Sequence, residues 1–341
     1  MRVQFRLLTM GCGLALLGCN HTEPFGATDY RSVGPLLPGS PTRLTYDSGV
    51  DTRASWLPNG TAFIYTQEQS HAYDDDRCLV VMPKTGGATV RTICAVNDPD
   101  QDTLDDFESA AVSPAGRLAY VRTSMRANVG RYTPDYAALV LTSFASPDSF
   151  TSLLHLSYIG PSGQGVDGIT NLHWLDPSTL IFVANQVTYA CVNVGCTQVD
   201  TSVTPVEIER LDVTTGNAQP TLVANTAGAT CLSVVGTDTM YYAFSGDSLI
   251  HRRILSSNAD TVVFDFGPGA VTGVSVARGR LAATVSGALH VVTLASGSDQ
   301  VLLSGLVSHP ALDPTGHLLV ADYVPVAAPA TPPDLWLWTI P

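Results

Sequence analysis

Trp56-Leu57-Pro58-Asn59-Gly60, followed at once by Thr61-Ala62-Phe63-Ile64-Tyr65, decides how this chain folds. Proline, asparagine and glycine in succession set a tight turn, and the apolar-rich run after them has the composition of a strand. The same arrangement returns along the chain. Val112-Ser113-Pro114-Ala115-Gly116 precedes Arg117 to Val121, Trp174-Leu175-Asp176-Pro177-Ser178 precedes Thr179 to Val183, and Leu312-Asp313-Pro314-Thr315-Gly316 precedes His317 to Ala321. Two further copies lack the proline: Val235-Gly236-Thr237-Asp238 before Thr239 to Ala243, and Ala277-Arg278-Gly279 before Arg280 to Thr284. Each copy predicts a strand, a turn and a second strand.

A second hairpin follows most of these. Cys78 to Met82, the turn Lys84-Thr85-Gly86-Gly87 and Ala88 to Ile93 form one. Glu207 to Val213 with Pro220 to Val223, and Leu289 to Leu294 with Gln300 to Leu303, form two more. Four strands in about fifty residues, repeated six times, predict an all-β, six-bladed β-propeller with four-stranded blades over residues 42–341. The final unit stops after a third strand, Leu335 to Ile340, while an orphan strand, Pro41 to Thr45, precedes the first unit. Pairing the two would close the ring and remove open sheet edges.

These turns resemble the TolB-type propeller repeat, marked by a Trp-Ser-Pro-Asp-Gly-like turn, an apolar strand and a Gly-Gly turn. The resemblance spans roughly residues 42 to 341 and is closest in units one, two, three and six. It implies protein–protein contact. The chain departs from that family in its amino-terminal segment, where no separate α/β domain is expected.

Composition agrees with a β-rich core. Apolar residues make up 45% and charged residues 14%, enough to build a large interior. Only Leu104 to Ala111 offers even two turns of helix. The net charge is −13, and removal of residues 1–18 takes away Arg2 and Arg6 and no acid, leaving −15. With Arg252-Arg253 the one adjacent basic pair, nucleic acid is excluded as a partner.

The first residues read as an export signal. Arg2 and Arg6 give a positive start, and Leu7 to Gly18 is an apolar stretch too short to span a bilayer. Leu16-Leu17-Gly18-Cys19 resembles the lipobox of bacterial lipoproteins. That resemblance implies a signal peptide of residues 1–18, cleavage after Gly18 and acylation of Cys19. Two or three acyl chains suffice for a stable membrane anchor. Asn20 rather than Asp follows the cysteine, which directs the expectation to the outer membrane. Residues 19–41 then form a tether rich in Gly, Pro, Ser and Thr. Export makes disulfides Cys78–Cys94 and Cys191–Cys196 reasonable, with Cys231 left over.

Candidate chemistry is sparse. Asp98, Asp100 and Asp102 alternate as Ca²⁺ ligands do, beside acidic loops at Asp74-Asp75-Asp76 and Asp105-Asp106. The EF-hand pattern fails, because Thr103 stands in the glycine position and Ser109 in that of the bidentate glutamate. No Gly-x-Ser-x-Gly elbow or paired-carboxylate frame is present, so no catalytic role is expected. Aligning the hairpins places Arg53, Ser109, Asn171, Thr230 or Cys231, Thr272 and His309 around one mouth of the channel. A small polar or anionic ligand could sit there. The leading expectation is a non-catalytic envelope lipoprotein binding a protein or cell-wall partner. The alternative is small-molecule or glycan binding at the channel mouth, including a degenerate enzyme's site.

Overall fold

The computed structural model describes residues 41–340 apart from 47–48, 71–74, 96–102, 129–130, 148–149, 158–162, 193–198, 215–218 and 326–331. Six antiparallel sheets follow one another around a central channel. Blade 1 contains β2 (Asp51–Trp56), β3 (Ala62–Ser70), β4 (Asp75–Pro83) and β5 (Arg91–Ile93). Blade 2 contains β6 (Thr103–Val112), β7 (Arg117–Asn128), β8 (Arg131–Ser143) and β9 (Phe150–Ser157). Blade 3 contains β10 (Gly163–Asp176), β11 (Thr179–Cys191), β13 (Glu207–Asp212) and β14 (Thr221–Leu222), with β12 (Val199–Val203) added on the far half of β11. Blade 4 is β15 (Ala229–Val235), β16 (Thr239–Phe244), β17 (Leu249–Ile254) and β18 (Ala259–Asp265). Blade 5 is β19 (Val271–Ala277), β20 (Arg280–Val285), β21 (Ala288–Thr293) and β22 (Ser298–Leu303). Blade 6 is β23 (Leu306–Leu312), β24 (Leu318–Val324), β25 (Asp334–Thr339) and, from the other end of the chain, β1 (Thr42–Arg43).

The ring closes through β1. Thr42 lies opposite Leu337 and Arg43 opposite Trp336, and the Leu44 amide donates to the Leu335 carbonyl at 2.8 Å. The Arg43 guanidinium also meets the buried Asp334 carboxylate at 2.7 Å.

Packing explains why the middle strands read as continuous apolar runs. The second strand of each blade is covered on both faces by neighbouring blades, so Phe63-Ile64, Leu118-Ala119, Leu180-Ile181-Phe182, Leu281-Ala282-Ala283 and Leu319-Val320-Ala321 are all fully buried. The interior divides into six apolar clusters, one at each blade junction. The junction of blades 6 and 1 packs Leu44, Val320, Leu335 and Leu337 against Phe63, Tyr65, Val80 and Met82. Fourth strands face water instead, as in β18 and β22.

The repeated turn is held by local chemistry. Its glycine adopts a positive φ of 65° to 76° at Gly60, Gly116, Gly236, Gly279 and Gly316, a conformation a side chain would strain. Blade 3 has Ser178 there, and Asp176 Oδ1 accepts from both its amide and its hydroxyl at 2.7 Å. In blade 6, Asp313 Oδ1 accepts from the His317 and Leu318 amides at 2.8 Å. These are side-chain substitutes for backbone turn bonds. The Cys78–Cys94 disulfide ties β4 to the residue after β5, as the spacing of the strands suggested.

Three readings need correction. Leu104 to Ala111 lies within β6 and is no helix, because the adjacent Ala110 and Ala111 go into opposite blade junctions as a two-sided strand requires. Asp105 and Asp106 therefore belong to that strand and not to an acidic loop, and Asp75 and Asp76 open β4. Blade 3 carries a fifth strand that no turn signal announced.

Candidate functional site

The inner strands β2, β6, β10, β15, β19 and β23 line a channel of about 640 Å³. Most of its wall is apolar, including Ala54, Ala110, Leu172, Leu232, Val274 and Leu312. Every inner strand breaks register at the level of the ring. The irregularities fall at Thr52/Ser55, Glu108/Ala111, Asp167/Thr170/His173, Ala229/Cys231, Val271/Gly273 and Ser308/Ala311. An extra residue in one strand re-aims a side chain and leaves its amide without a ladder partner.

Four of the ring positions expected from sequence sit on those bulges with left-handed backbone: Arg53 (φ 57°), Ser109 (53°), Asn171 (49°) and His309 (44°). A non-glycine residue pays for that conformation unless its surroundings hold it. They do so across the blade boundary. Asp322 Oδ1 in blade 6 accepts from the Arg53 amide at 3.1 Å, and Thr66 Oγ1 in blade 1 accepts from the Ser109 amide at 3.3 Å.

All four line the channel; Thr272 does not. Its hydroxyl meets Thr284 Oγ1 at 3.0 Å within its own blade, and its backbone stays right-handed, so the expected six-membered ring is open on the side of blades 4 and 5. Cys231 turns away too. It is buried in the apolar junction of blades 4 and 5, where burial pushes its thiol up to about 12.

The mouth is a network of paired ionic groups. Arg53 Nη1 donates to Glu108 Oε2 at 2.7 Å and to Ser109 Oγ at 2.9 Å. Arg77 reaches Glu108 at 3.6 Å and Glu68 at 3.3 Å, and its amide donates to Asp106 Oδ1 at 3.0 Å. In the adjoining blade 6, His309 Nδ1 and Asp322 Oδ2 are 2.6 Å apart, with Asp322 buried and the imidazole 41% exposed. The Thr52 hydroxyl also donates to Asp322, and lies 3.3 Å from the same His309 Nδ1. In a nucleophile–base–acid relay the hydroxyl and the carboxylate occupy opposite ring nitrogens. Here both share one. Asp322 was missed in the sequence, although an acid inside the apolar run Leu318 to Val324 is the kind of signal that marks a buried partner.

Deeper in the channel, polar stitches cross five of the six junctions, and the Thr66–Ser109 bond serves the sixth. Trp56 Nε1 donates to the Ala311 carbonyl at 2.8 Å and Trp174 Nε1 to that of Ala111 at 3.1 Å. His173 Nε2 meets the Leu232 carbonyl at 3.0 Å, and burial lowers the imidazole pKa, so this ring is neutral and donates from Nε2. Ser233 Oγ and Ser275 Oγ accept from the Val276 and Leu312 amides, both at 2.9 Å.

Around the mouth the blades differ in height. β6 begins six residues before Ser109 and β10 eight residues before Asn171, whereas β15 and β19 begin one residue before Thr230 and Thr272. At roughly 3.3 Å per residue, blades 2 and 3 rise about 20 to 26 Å above the ring. Cys19, Cys196 and the candidate Ca²⁺ ligands Asp98, Asp100 and Asp102 lie outside the described residues. Among the described residues no group of three His, Cys, Asp or Glu side chains could hold a metal ion.

No family model and no curated protein matches the chain. Solved structures match it by shape. The WD40 repeats of RRP9 give a TM-score of 0.52 at 11% identity, covering 90% of this chain and 100% of that one. The β-propeller domain of Cps50 (Swd1) from Myceliophteria thermophila gives 0.52 at 12% identity, covering 89% and 100%. Regucalcin, a calcium-binding protein from Agrobacterium tumefaciens, gives 0.52 at 12% identity, covering 90% and 94%. Identities this low establish the fold, a β-propeller, and nothing narrower.

Proposed function

We propose that this chain is a non-catalytic, lipid-anchored scaffold of the cell envelope, binding a protein partner on the face where blades 2 and 3 rise. One observation carries the binding face: β6–β8 and β10–β12 project well beyond the ring, while the opposite blades end at it. Among the described side chains, the blade-junction clusters lie below that extra length. Long backbone hairpins offer a partner both side chains and strand edges. The TolB-type character of the repeated turns also favours protein contact. Anchoring rests on Leu16-Leu17-Gly18-Cys19.

The test trims the β7–β8 hairpin of the crest and keeps the disc. Residues 126–133 are replaced by Asn-Gly, a two-residue hairpin turn, and the trimmed and untrimmed proteins are crosslinked in envelopes. The expected result is an unchanged melting temperature with loss of the crosslinked partner. Capture of the same partner by both forms would move the binding face elsewhere. Mass spectrometry of the amino-terminal peptide, with Cys19→Ala as the control, tests acylation separately.

A further inference from the structure

The channel itself combines two features that a water-filled pore does not need. Its wall is mostly apolar, and its ionic cluster gathers at one mouth, while His173, Ser233 and Ser275 deeper down are already bonded across blade junctions and Arg278 lies at the far end. A volume of about 640 Å³ lies within the range of roughly 300 to 1,000 Å³ that holds small organic ligands. Each charged group of that mouth already has a partner: Arg53 and Arg77 meet Glu108 and Glu68, Asp106 accepts from the Arg77 amide, and Asp322 accepts from Thr52 and the Arg53 amide and meets His309. A ligand carrying a full charge would have to break one of those pairings in a partly desolvated site. What remains on offer is hydrogen bonding. His309 has Nδ1 on Asp322, which leaves Nε2 of a 41% exposed ring to the channel, and the Asn171 amide donates only to its neighbour Thr170 Oγ1, at 3.2 Å.

We infer that the channel binds a small neutral amphiphile, its apolar body against Ala110, Leu172, Leu232 and Val274 and its oxygen at His309 and Asn171. The left-handed bulges serve this purpose by turning those two side chains into the opening. The inference does not rest on the protein-binding reading, since that face lies on the crest.

Benzophenone, a neutral ketone that inserts into nearby C–H bonds under near-ultraviolet light, is the probe. The full-length protein is irradiated with it, digested, and the labelled peptides are identified by mass spectrometry. Saturable labelling within β6, β10, β15 or β19 is expected. Asn171→Gly combined with His309→Gly keeps residues that tolerate left-handed backbone while removing both side chains, and should reduce that labelling about tenfold. Should that variant not fold, Ser55→Phe, which fills the channel from β2, replaces it and should abolish labelling. Labelling confined to the outer strands, or undiminished in a folded variant, would overturn the site. Stronger labelling by the anionic 4-benzoylbenzoate would overturn the neutral ligand class.

Discussion

Blades 2 and 3 and blades 4 and 5 are built on one repeat and differ in almost everything except their cores. Strands in blade 4 run six or seven residues, while β7, β8, β10 and β11 run 12 to 14. Blades 2 and 3 keep the turn proline, Pro114 and Pro177, and hold Ser109 and Asn171 in left-handed backbone at the ring. Blades 4 and 5 have neither. Yet their second strands are buried alike, Leu180 and Phe182 in one case and Leu281 and Ala283 in the other. The fold therefore depends on the two-sided burial of the second strand. Turn proline, bulge geometry and strand length are free to vary around it, and on one side of the ring they have been elaborated.

The largest expected effect tests that equivalence. Leu180→Ala in blade 3 and Leu281→Ala in blade 5 remove fully buried side chains at matching positions and should each cost about 2 to 5 kcal/mol in chemical denaturation. A loss of under 1 kcal/mol at one of them would break the comparison. Ring backbone comes next. Asn171→Gly relieves a φ of 49° and should be neutral or slightly stabilising, whereas Thr272→Gly only adds freedom to the unfolded chain and should cost about 1 kcal/mol. Equal shifts in melting temperature would show that the bulges do not differ in strain.

The smallest effect is peculiar to blade 4. Burial opposes ionisation of Asp260, but hydrogen bonds from Tyr242 and His251 and the nearby Arg253 charge hold its carboxyl below the ordinary value. A lowered folded pKa contributes stability above the unfolded pKa of about 3.9, and that contribution drains away as pH falls through the folded value. Part of the pair is in water, so roughly 0.5 kcal/mol is at stake. After correction for the intrinsic exchange rate, the protection of β17 and β18 amides should fall below about pH 4 in the native protein, and Asp260→Asn should flatten that response.

Much of this was legible in the residues, for identifiable reasons. Turn chemistry at Pro58-Asn59-Gly60 and its copies depends on a few local atoms, so the hairpins and their number could be read directly. The positions of Arg53, Ser109 and His309 followed because each lies seven residues ahead of a turn glycine. Their backbone geometry did not follow. A bulge adds one residue without any compositional mark, and it is stabilised by a side chain of another blade, as Asp322 stabilises Arg53 across 269 positions of sequence. Thr272 was misplaced for the same reason, since its alignment was right and its bulge turns the side chain to Thr284. The crest was hidden because long strands lack punctuation, and acidic Asp105-Asp106 looked like loop.

Closure of the ring by β1 is the claim on which the blade count, the channel and the crest all depend. Paired cysteines at Arg43→Cys and Trp336→Cys, which lie opposite each other in β1 and β25, measure it directly. Under mild oxidation the account expects a 43–336 disulfide in nearly every molecule, found by peptide mass spectrometry, together with a raised melting temperature. Two free thiols in a folded protein would contradict it.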